Sequence, residues 1–436
     1  MALEAFRAQI LYVNDDPLLA GNDDAVRFFD DGLLLVENGY VVNTGSYVEL
    51  ADSLPAGVTP LHFKNCLITP GFIDTHIHYP QTDIIGAHGA QLLDWLERYT
   101  YPAEAAFADP AHARETAQFF LRELLRNGTT TALVFASSHA DSVDAIFEAA
   151  LEKSMRLYAG KVLMDQNADA VLCDGADLGR ADTVRLIEKW RGKGRLGYAV
   201  TPRFALTSSA EQLRMAGEIL RDYPDVLLQT HLSENYAEIE MAARLFPEAS
   251  DYLDIYARNG LLTGRSVFAH ALHMDAGAFN RIADANAAIS FCPSSNLFLG
   301  SGLFSLKSAH DAGAQVSLGT DVGAGASFSM LHIAQNAYKV AQMNDNNLDP
   351  FTLFYLATLG GARALNAGDR IGHLAPGAEA DFLVLDYAAT PLIERRMRAA
   401  RDLQERLFAF MILGDDRAVK QTYIAGALAH DRDGAA

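Results

Sequence analysis

Between residues 67 and 323 the chain alternates short apolar segments with stretches of helical periodicity, and this pattern restricts the fold more than any other feature. Eight strands that alternate with helices over about 300 residues predict an α/β protein with a (β/α)₈ barrel. A doubly wound open sheet is the alternative. No Gly-x-Gly-x-x-Gly follows the first strand, which disfavours that sheet and a dinucleotide-dependent oxidoreductase. The predicted strands are 67–79, 129–137, 156–165, 197–207, 226–235, 266–273, 287–296 and 314–323.

Both ends of the chain have the character of short β-strands rather than of a βα repeat. Residues 8–13, 25–29 and 32–37 are rich in strand-forming side chains, and Asn38-Gly39 then predicts a tight hairpin turn before residues 40–42. Residues 380–386 and 419–426 resume this pattern near the C-terminus. We therefore predict a small β-sandwich domain from residues 1–69 plus 372–436, and a barrel domain from residues 70–371.

Two helix starts in the barrel region carry recognisable signals. Asp109-Pro110 predicts a cap followed by proline at the first helical position, and Asn127-Gly128 predicts the end of the same helix. Ser208-Ser209-Ala210-Glu211 has the spacing of a capping box. These signals predict one helix between the first and second strands and another after the fourth strand.

Ionisable or polar side chains follow five of the eight predicted strands. A barrel places its chemistry at the carboxyl ends of its strands. Buried His or Asp side chains without partners are costly, so these groups are expected to contact one another or a metal ion. They are, in chain order, His76, His78 and Gln81; Arg203 and Phe204; His231 and Glu234; His270; and Asp321.

His76 and His78 are the strongest indication of a metal site. Residues two apart on a strand point to the same face, so both imidazoles are aimed at one point. The alternative is that both histidines are satisfied by hydrogen bonds within a strand. Because zinc takes three or four N/O ligands, the hypothesis is one Zn²⁺ held by His76, His78, His231 and Asp321.

The remaining groups suggest a hydrolytic reaction. A bound zinc ion lowers the pKa of its water and so supplies a nucleophile. Glu234 lies beside His231 and, as a carboxylate that is not a ligand, is the predicted proton shuttle; alternatively it only starts a helix. His270 either orients the nucleophile and stabilises charge or is itself a ligand, and the sequence leaves both roles open. Catalytic roles are thus predicted for Glu234, His270 and Asp321.

Charge and cysteine content exclude several classes of protein. The formal net charge of −20 disfavours nucleic-acid binding and anionic membrane surfaces, which both require clustered Lys and Arg. The three cysteines are few and far apart, which favours a reducing compartment, and no Cys-x-x-Cys is present for the zinc signature of small nucleobase deaminases. With no export signal or apolar span recognised, we predict a cytoplasmic protein without membrane or nucleic-acid partners.

The chain resembles the amidohydrolase superfamily over nearly its whole length. The resemblance is carried by the stretch from Pro70 to His78, by His231 and His270, and by Gly319-Thr320-Asp321. The segment from Gly372 to Phe382 is similar to the return of that family into its small β domain. The resemblance implies the same barrel and the same zinc ligands.

Within that superfamily the chain is most similar to the guanine deaminases, and the discriminating stretch is Leu92–Glu104. Shorter similarities lie at 76–81, 160–165, 201–204 and 231–235. The resemblance implies hydrolytic deamination of guanine to xanthine, one zinc ion per subunit, and a homodimer. It also implies guanine contacts at Gln81, Arg203 and Phe204, together with His231 and Glu234.

Two other functions remain open at this point. Another zinc aminohydrolase or chlorohydrolase, acting on a related purine, a pterin or a triazine, would share the metal ligands and differ at Gln81, Arg203 and residues 92–104. A non-catalytic scaffold of the same fold would typically have lost metal ligands, which are all present here.

Overall fold

A computed structural model describes residues 3–89 and 91–434. The chain begins with four strands that belong to one sheet. The Asn38-Gly39 turn joins the second and third strands as predicted, with φ of 53° and 84°, which is the left-handed region that a two-residue hairpin turn requires. The four strands are β1 (Glu4–Val13), β2 (Val26–Glu37), β3 (Tyr40–Ser46) and β4 (Leu61–Pro70).

The middle of the chain builds the predicted barrel of parallel strands. Its strands are β5 (Phe72–His78), β6 (Thr129–Phe135), β7 (Arg156–Gly160), the two-residue β8 (Val162–Leu163), β9 (Leu196–Pro202), β10 (Leu227–Leu232), β11 (Ser266–His270), β12 (Ala288–Phe291) and β13 (Gln315–Leu318). The order is β5-β6-β7-β9-β10-β11-β12-β13, and β8 pairs with β9. Backbone bonds from Asp321 N to His76 O and from His78 N to Val322 O bring the last strand back to the first.

Three C-terminal strands complete the terminal sheet: β14 (Phe382–Asp386), β15 (Val419–Ile424) and β16 (Ala427–Asp431). The order is β16-β15-β14-β4-β1-β2-β3, so both termini contribute to one small β domain, as predicted. All pairs are antiparallel except β1 with β4. Phe6, Phe382 and Tyr423 form its aromatic core, with ring centroids 4.3 to 5.2 Å apart.

Helices connect most of the strands. They are α1 (Pro17–Ala20), α2 (Asn22–Ala25), α3 (Tyr47–Leu50), α4 (Leu92–Trp95), α5 (Tyr101–Ala105), α6 (Pro110–Arg126), α7 (Ala140–Glu152), α8 (Ala176–Trp190), α9 (Ala210–Asp222), α10 (Tyr236–Leu245), α11 (Tyr252–Arg258), α12 (Ala276–Asp284), α13 (Pro293–Phe298), α14 (Leu306–Asp311), α15 (Met330–Met343), α16 (Pro350–Ala357), α17 (Leu359–Ala364), α18 (Pro391–Ala399) and α19 (Leu403–Leu413). A π-helical turn at Leu96–Thr100 links α4 to α5, and 3₁₀ turns lie at Ala51–Ser53, Tyr79–Ile84, Ala106–Ala108 and Asp416–Ala418. Within the described ranges, no helix combines the length and apolarity needed to cross a bilayer.

The helix signals in the sequence agree with the structure to within one residue. Asp109 caps α6 by accepting a hydrogen bond from Ala111 N, and Pro110 is the first helical residue. Ser209 is the cap of α9 and accepts from Gln212 N, so this helix begins one residue later than the predicted box. Short polar side chains at these positions satisfy backbone N–H groups that the helix itself leaves unpaired.

The predicted strand 67–79 is two strands, separated at Gly71. β4 ends at Pro70 in the terminal sheet and β5 begins at Phe72 in the barrel. A Cβ at Gly71 would lie only 2.0 Å from Oγ1 of Thr130, so glycine allows the chain to pass from one sheet to the other. The apolar run gives no hint of this change, because residues 67–70 at the end of β4 and all of β5 are buried. The exact domain boundaries stay a prediction.

Two arginines, one buried and one half-buried, link the base of the barrel to the chain just before β14. Arg195 Nη1 donates to Glu379 Oε2 at 2.6 Å and to Asp381 Oδ2 at 2.8 Å. Arg156 at the start of β7 also pairs with Glu379. The two positive and two negative charges therefore compensate one another at the contact between the barrel and the terminal sheet.

Candidate active site

The structure brings five of the predicted side chains together at the carboxyl end of the barrel. His76 and His78 end β5, His231 lies near the end of β10, His270 ends β11, and Asp321 follows β13. One ligand atom from each of His76, His231, His270 and Asp321 lies within 4.8 Å of the others. All five side chains are buried, so the site is held away from bulk water.

His78 occupies the middle of this cluster. Its Nε2 atom lies 3.3 Å from Nε2 of His76, 3.2 Å from Nε2 of His231 and 3.4 Å from Oδ1 of Asp321. Nε2 of His76 lies 3.2 Å from the same aspartate oxygen. Nitrogen ligands about 2.05 Å from a tetrahedral zinc ion are about 3.3 Å apart, so these side chains have the spacing of ligands around one ion.

The protonation of the histidines also suits metal ligands. Burial lowers the pKa of His78 to about 4 and that of His231 well below its usual value. Nδ1 of His231 lies 2.8 Å from the carbonyl oxygen of Arg203, so it carries the proton and Nε2 presents a lone pair to the cluster. A neutral imidazole fixed in this way is the form that binds a metal.

Glu234 lies beside the cluster without belonging to the tight group of His76, His78 and Asp321. Its Oε2 atom is 3.4 Å from Nε2 of His270, and its Oε1 accepts a hydrogen bond from Ser301 Oγ at 3.4 Å. Burial, followed by the charge of Asp321, raises the pKa of Glu234 well above its usual value. A carboxylate with a raised pKa is a stronger base than an ordinary one, and its carboxyl form can return the proton.

Glu234 does not start a helix. Asn235 is the N-cap of α10, and Glu238 completes a capping box by accepting hydrogen bonds from the backbone N–H groups of Glu234 and Asn235. The alternative role of Glu234 in helix initiation is therefore filled by Glu238, one turn further along.

His270 is oriented by Asn296. Nδ1 of His270 lies 2.9 Å from Oδ1 of Asn296, and its Nε2 atom has no hydrogen-bond partner within the described residues. Its backbone has φ of 72°, and that of Asp321 has φ of 51°. Such left-handed conformations are uncommon for residues other than glycine. Here they occur at two strand ends, at the residues that carry the imidazole and the carboxylate.

Asp74 braces the first and last strands behind the metal-ligand cluster. Its Oδ2 accepts from Thr320 Oγ1 at 2.5 Å, while Oδ1 accepts from the backbone N–H groups of Thr320 and His76, each at 3.1 Å. Burial raises the pKa of Asp74 to about 6. This residue fixes the positions of His76 and Asp321 from behind, a role that the sequence analysis did not assign.

The predicted substrate-binding residues Gln81 and Arg203 meet on one buried carboxylate. Nη1 of Arg203 lies 2.7 Å from each oxygen of Glu104. Nε2 of Gln81 donates to Glu104 Oε1 at 3.1 Å, and its Oε1 accepts from the backbone N–H of Gly323, also at 3.1 Å. Arg203 and Gln81 thus lie side by side, next to His231, whose Nδ1 donates to the carbonyl oxygen of Arg203.

Phe204 is buried, and its ring centroid lies 6.3 Å from that of His231 in an edge-to-face arrangement. Glu104 was missed as a functional residue because a single glutamate on a helix has no sequence signal of its own. The only signal was its place at the end of the distinctive stretch 92–104.

Comparison with known proteins identifies the family of this chain. The family model for the amidohydrolase family matches residues 67–429. The chain belongs to the amidohydrolase family. Among other amidohydrolases, the guanine deaminase of Escherichia coli strain K12 is 47% identical over 409 residues, which is 94% of this chain and 93% of that protein.

Solved structures of amidohydrolases give the same result. E. coli guanine deaminase superposes with a TM-score of 0.96 at 45% identity, covering 99% of this chain and 100% of that one. The guanine deaminase of C. acetobutylicum, solved with guanine bound in its active site, superposes with a TM-score of 0.89 at 29% identity, covering 98% and 100%. The barrel and the terminal sheet are therefore those of this family.

Proposed function

We propose that this amidohydrolase is a zinc-dependent guanine deaminase, which hydrolyses guanine to xanthine and ammonia. The observation that carries the proposal is that Arg203 and Gln81 share the carboxylate of Glu104 beside the histidine cluster. The similarity to guanine deaminases from other organisms supports it.

The proposed zinc ligands are His76, His78, His231 and Asp321. The mutual spacing of 3.2 to 3.4 Å around His78 supports this set. A bound ion of this kind lowers the pKa of water and so supplies a nucleophile at neutral pH. We assign His270 to the substrate side of the ligands, because its Nε2 atom faces Glu234 at 3.4 Å and Asp321 Oδ2 at 3.8 Å.

Arg203 and Gln81 are the proposed guanine contacts. Guanine presents O6 and N7 as neighbouring acceptors, and a guanidinium is a suitable donor to both. The Gln81 amide has one N–H and one lone pair left after its bonds to Glu104 and Gly323, which suits an edge with both donors and acceptors. Phe204 supplies apolar surface next to His231.

Glu234 is the proposed proton carrier. Conversion of guanine requires attack by water at C2, a proton at the adjacent ring N3, and a second proton for the departing ammonia. The raised pKa of Glu234 allows the carboxyl group to deliver these protons in turn. Nε2 of His270 lies 3.4 Å from Oε2 of Glu234 and 3.8 Å from Oδ2 of Asp321, so His270 can pass a proton between the two carboxyl groups.

A substrate panel tests the proposal. Ammonia release is measured with guanine, adenine, cytosine, a pterin and an aminotriazine. Guanine should be the best substrate by kcat/KM; if guanine is inert while another ring is turned over, the specificity proposed here is wrong.

A variant at the proton carrier tests the chemistry separately. Glu234→Gln should keep its zinc and lose at least about 100-fold in kcat, since general acid–base catalysis contributes on this scale. The matched control is Glu240→Gln, an exposed glutamate on α10. Full activity of the Glu234→Gln protein would remove this residue from the mechanism.

We further propose, from the same resemblance, a cytoplasmic homodimer. All three cysteines are free, which fits a reducing compartment. Light scattering of the purified protein tests the oligomeric state, and a monomer at micromolar concentration would exclude the dimer.

A further inference from the structure

The stretch 92–104 contains a buried acid that the proposed mechanism does not use. Glu104 lies in α5, and its side chain is fully buried. Its carboxylate is the common partner of Arg203 and Gln81, which come from the loop after β9 and from the turn after β5. Three segments distant in the sequence are thus joined by one side chain.

The ion pair leaves one edge of the Arg203 guanidinium unused. Both bonds to Glu104 are made by Nη1, and within residues 3–89 and 91–434 neither Nη2 nor Nε has an acceptor. The ring of Tyr101 lies 5.7 Å from Cζ of Arg203 and limits its movement on one side. The guanidinium is therefore held by one nitrogen, and the three N–H groups of Nη2 and Nε are left for a ligand.

Glu104 also determines which way the Gln81 amide points. A carboxylate only accepts hydrogen bonds, and the backbone N–H of Gly323 only donates. Gln81 must therefore direct Nε2 towards Glu104 and Oε1 towards Gly323, as observed at 3.1 Å in each case. In the opposite amide orientation, Oε1 of Gln81 would face the Glu104 carboxylate, an acceptor against an acceptor. Nε2 would face the Gly323 N–H, a donor against a donor.

From these contacts we infer that Glu104 is the specificity-determining positioning residue of the site, which presents the Arg203 and Gln81 side chains in one fixed donor–acceptor pattern to a 6-oxopurine ring. The inference rests on the proposed function. Glu104 acts through its two neighbours and contacts no reacting atom.

The inference distinguishes binding from chemistry. Glu104→Gln leaves Arg203 without its counter-ion. It also allows the Gln81 amide group to rotate so that Nε2 and Oε1 exchange places. KM for guanine should rise about 100-fold, the scale expected when one partner of a buried charge pair is truncated. The kcat value should change less than about threefold, because Glu234 and the metal ligands keep their contacts.

A double-mutant cycle with Arg203→Ala separates positioning from general stability. If Glu104 acts through Arg203, adding Glu104→Gln to an Arg203→Ala protein should lower kcat/KM less than about tenfold. The loss that remains is the effect of Glu104 on Gln81. An undiminished 100-fold loss in that background would overturn the inference. Zinc content and Tm are measured in parallel, and Glu97→Gln, at an exposed position of the same helical stretch, is the control.

Glu104→Asp covers the case in which Glu104→Gln does not fold. It keeps the charge that Arg203 needs but shortens the side chain by one methylene, so one carboxylate no longer reaches both partners. We expect a folded, zinc-loaded protein whose KM for guanine rises about tenfold; wild-type KM and kcat would overturn the inference.

A wild-type protein that releases no ammonia from guanine would instead overturn the proposed function, and the same variants would then be measured on the ring that the substrate panel identifies. An unchanged KM in both Glu104 variants on that ring would overturn the positioning role there too.

Discussion

Nδ1 of His270 lies 2.9 Å from Oδ1 of Asn296, and both side chains are buried. The amide oxygen accepts the Nδ1 proton and so leaves Nε2 as a lone pair on the side of Glu234 and Asp321. The tautomer and the orientation of the ring are thus set by a residue on α13, the helix that follows the next barrel strand, β12.

Replacing Asn296 with alanine should therefore lower turnover of guanine about 10- to 100-fold, the usual effect of losing the partner that orients a histidine at a metal site. The measurement is kcat from ammonia release, together with zinc content. Ser295→Ala is the matched control, because this neighbouring hydroxyl is buried and has no hydrogen-bond partner in the described part of the chain. Undiminished turnover in Asn296→Ala would contradict a role for the contact.

Removal of the metal should destabilise the fold as well as stop the reaction. His76, His78, His231 and Asp321 are buried side by side, and a bound ion stabilises the folded chain in proportion to its affinity and concentration. A chelator should lower Tm by several degrees, and Zn²⁺ should restore it. Mg²⁺ should not, because imidazole nitrogens are poor ligands for it. An unchanged Tm after verified removal of the metal would contradict the cluster as an ion site.

The stability of the protein should depend on pH through Glu238. Burial is the largest cause that raises the pKa of this carboxyl from 4.5 to about 7. The folded state therefore binds more protons than the unfolded state between these values, so the contribution of Glu238 to stability is full below pH 4.5 and is lost as pH rises to 7.

Glu238→Gln removes this dependence while its amide oxygen can still accept from Glu234 N and Asn235 N. We expect the unfolding free energy of the variant, relative to that of wild type, to be on the order of 3 kcal/mol higher at pH 8 than at pH 4.5. This follows from about 1.36 kcal/mol for each unit of the pKa shift. Urea unfolding at the two pH values measures the difference. Glu240→Gln, exposed on the same helix, should show none.

The ion pair between Lys161 and Asp174 should be important for stability. The two charges are 2.6 Å apart, and the lysine side chain is only 2% exposed. Lys161→Met leaves the carboxylate, whose side chain is only 11% exposed, without its cation and should cost about 3 kcal/mol of unfolding free energy. Lys307→Met breaks an exposed pair with Asp311 and should cost less than about 1 kcal/mol. Equal losses in both variants would show that burial of the pair does not matter.

The barrel and the polar strand ends could be predicted because both depend on local sequence. Alternating apolar segments report strands that are buried on both faces, and His76-x-His78 reports one face of a strand. The grouping of His231, His270 and Asp321 then follows from the parallel arrangement of the strands. It requires no knowledge of how individual side chains pack.

Contacts made by single residues across long sequence separations could not be predicted. Glu104 is 99 residues from Arg203, and Asp74 is 246 residues from Thr320. Nothing in the sequence around either acid indicates its partner, because the partner is chosen by packing of helices and loops. The prediction of one continuous strand over 67–79 was wrong for a related reason. The break at Gly71 depends on the side chain of Thr130 in a neighbouring strand.

The charges shared by Arg156, Arg195, Glu379 and Asp381 mean that the barrel is not a detachable unit. A barrel separated from the last sixty residues would leave two guanidinium groups without the carboxylates that neutralise them. The barrel that carries the histidine cluster thereby depends on the C-terminal segment to neutralise two of its own charges.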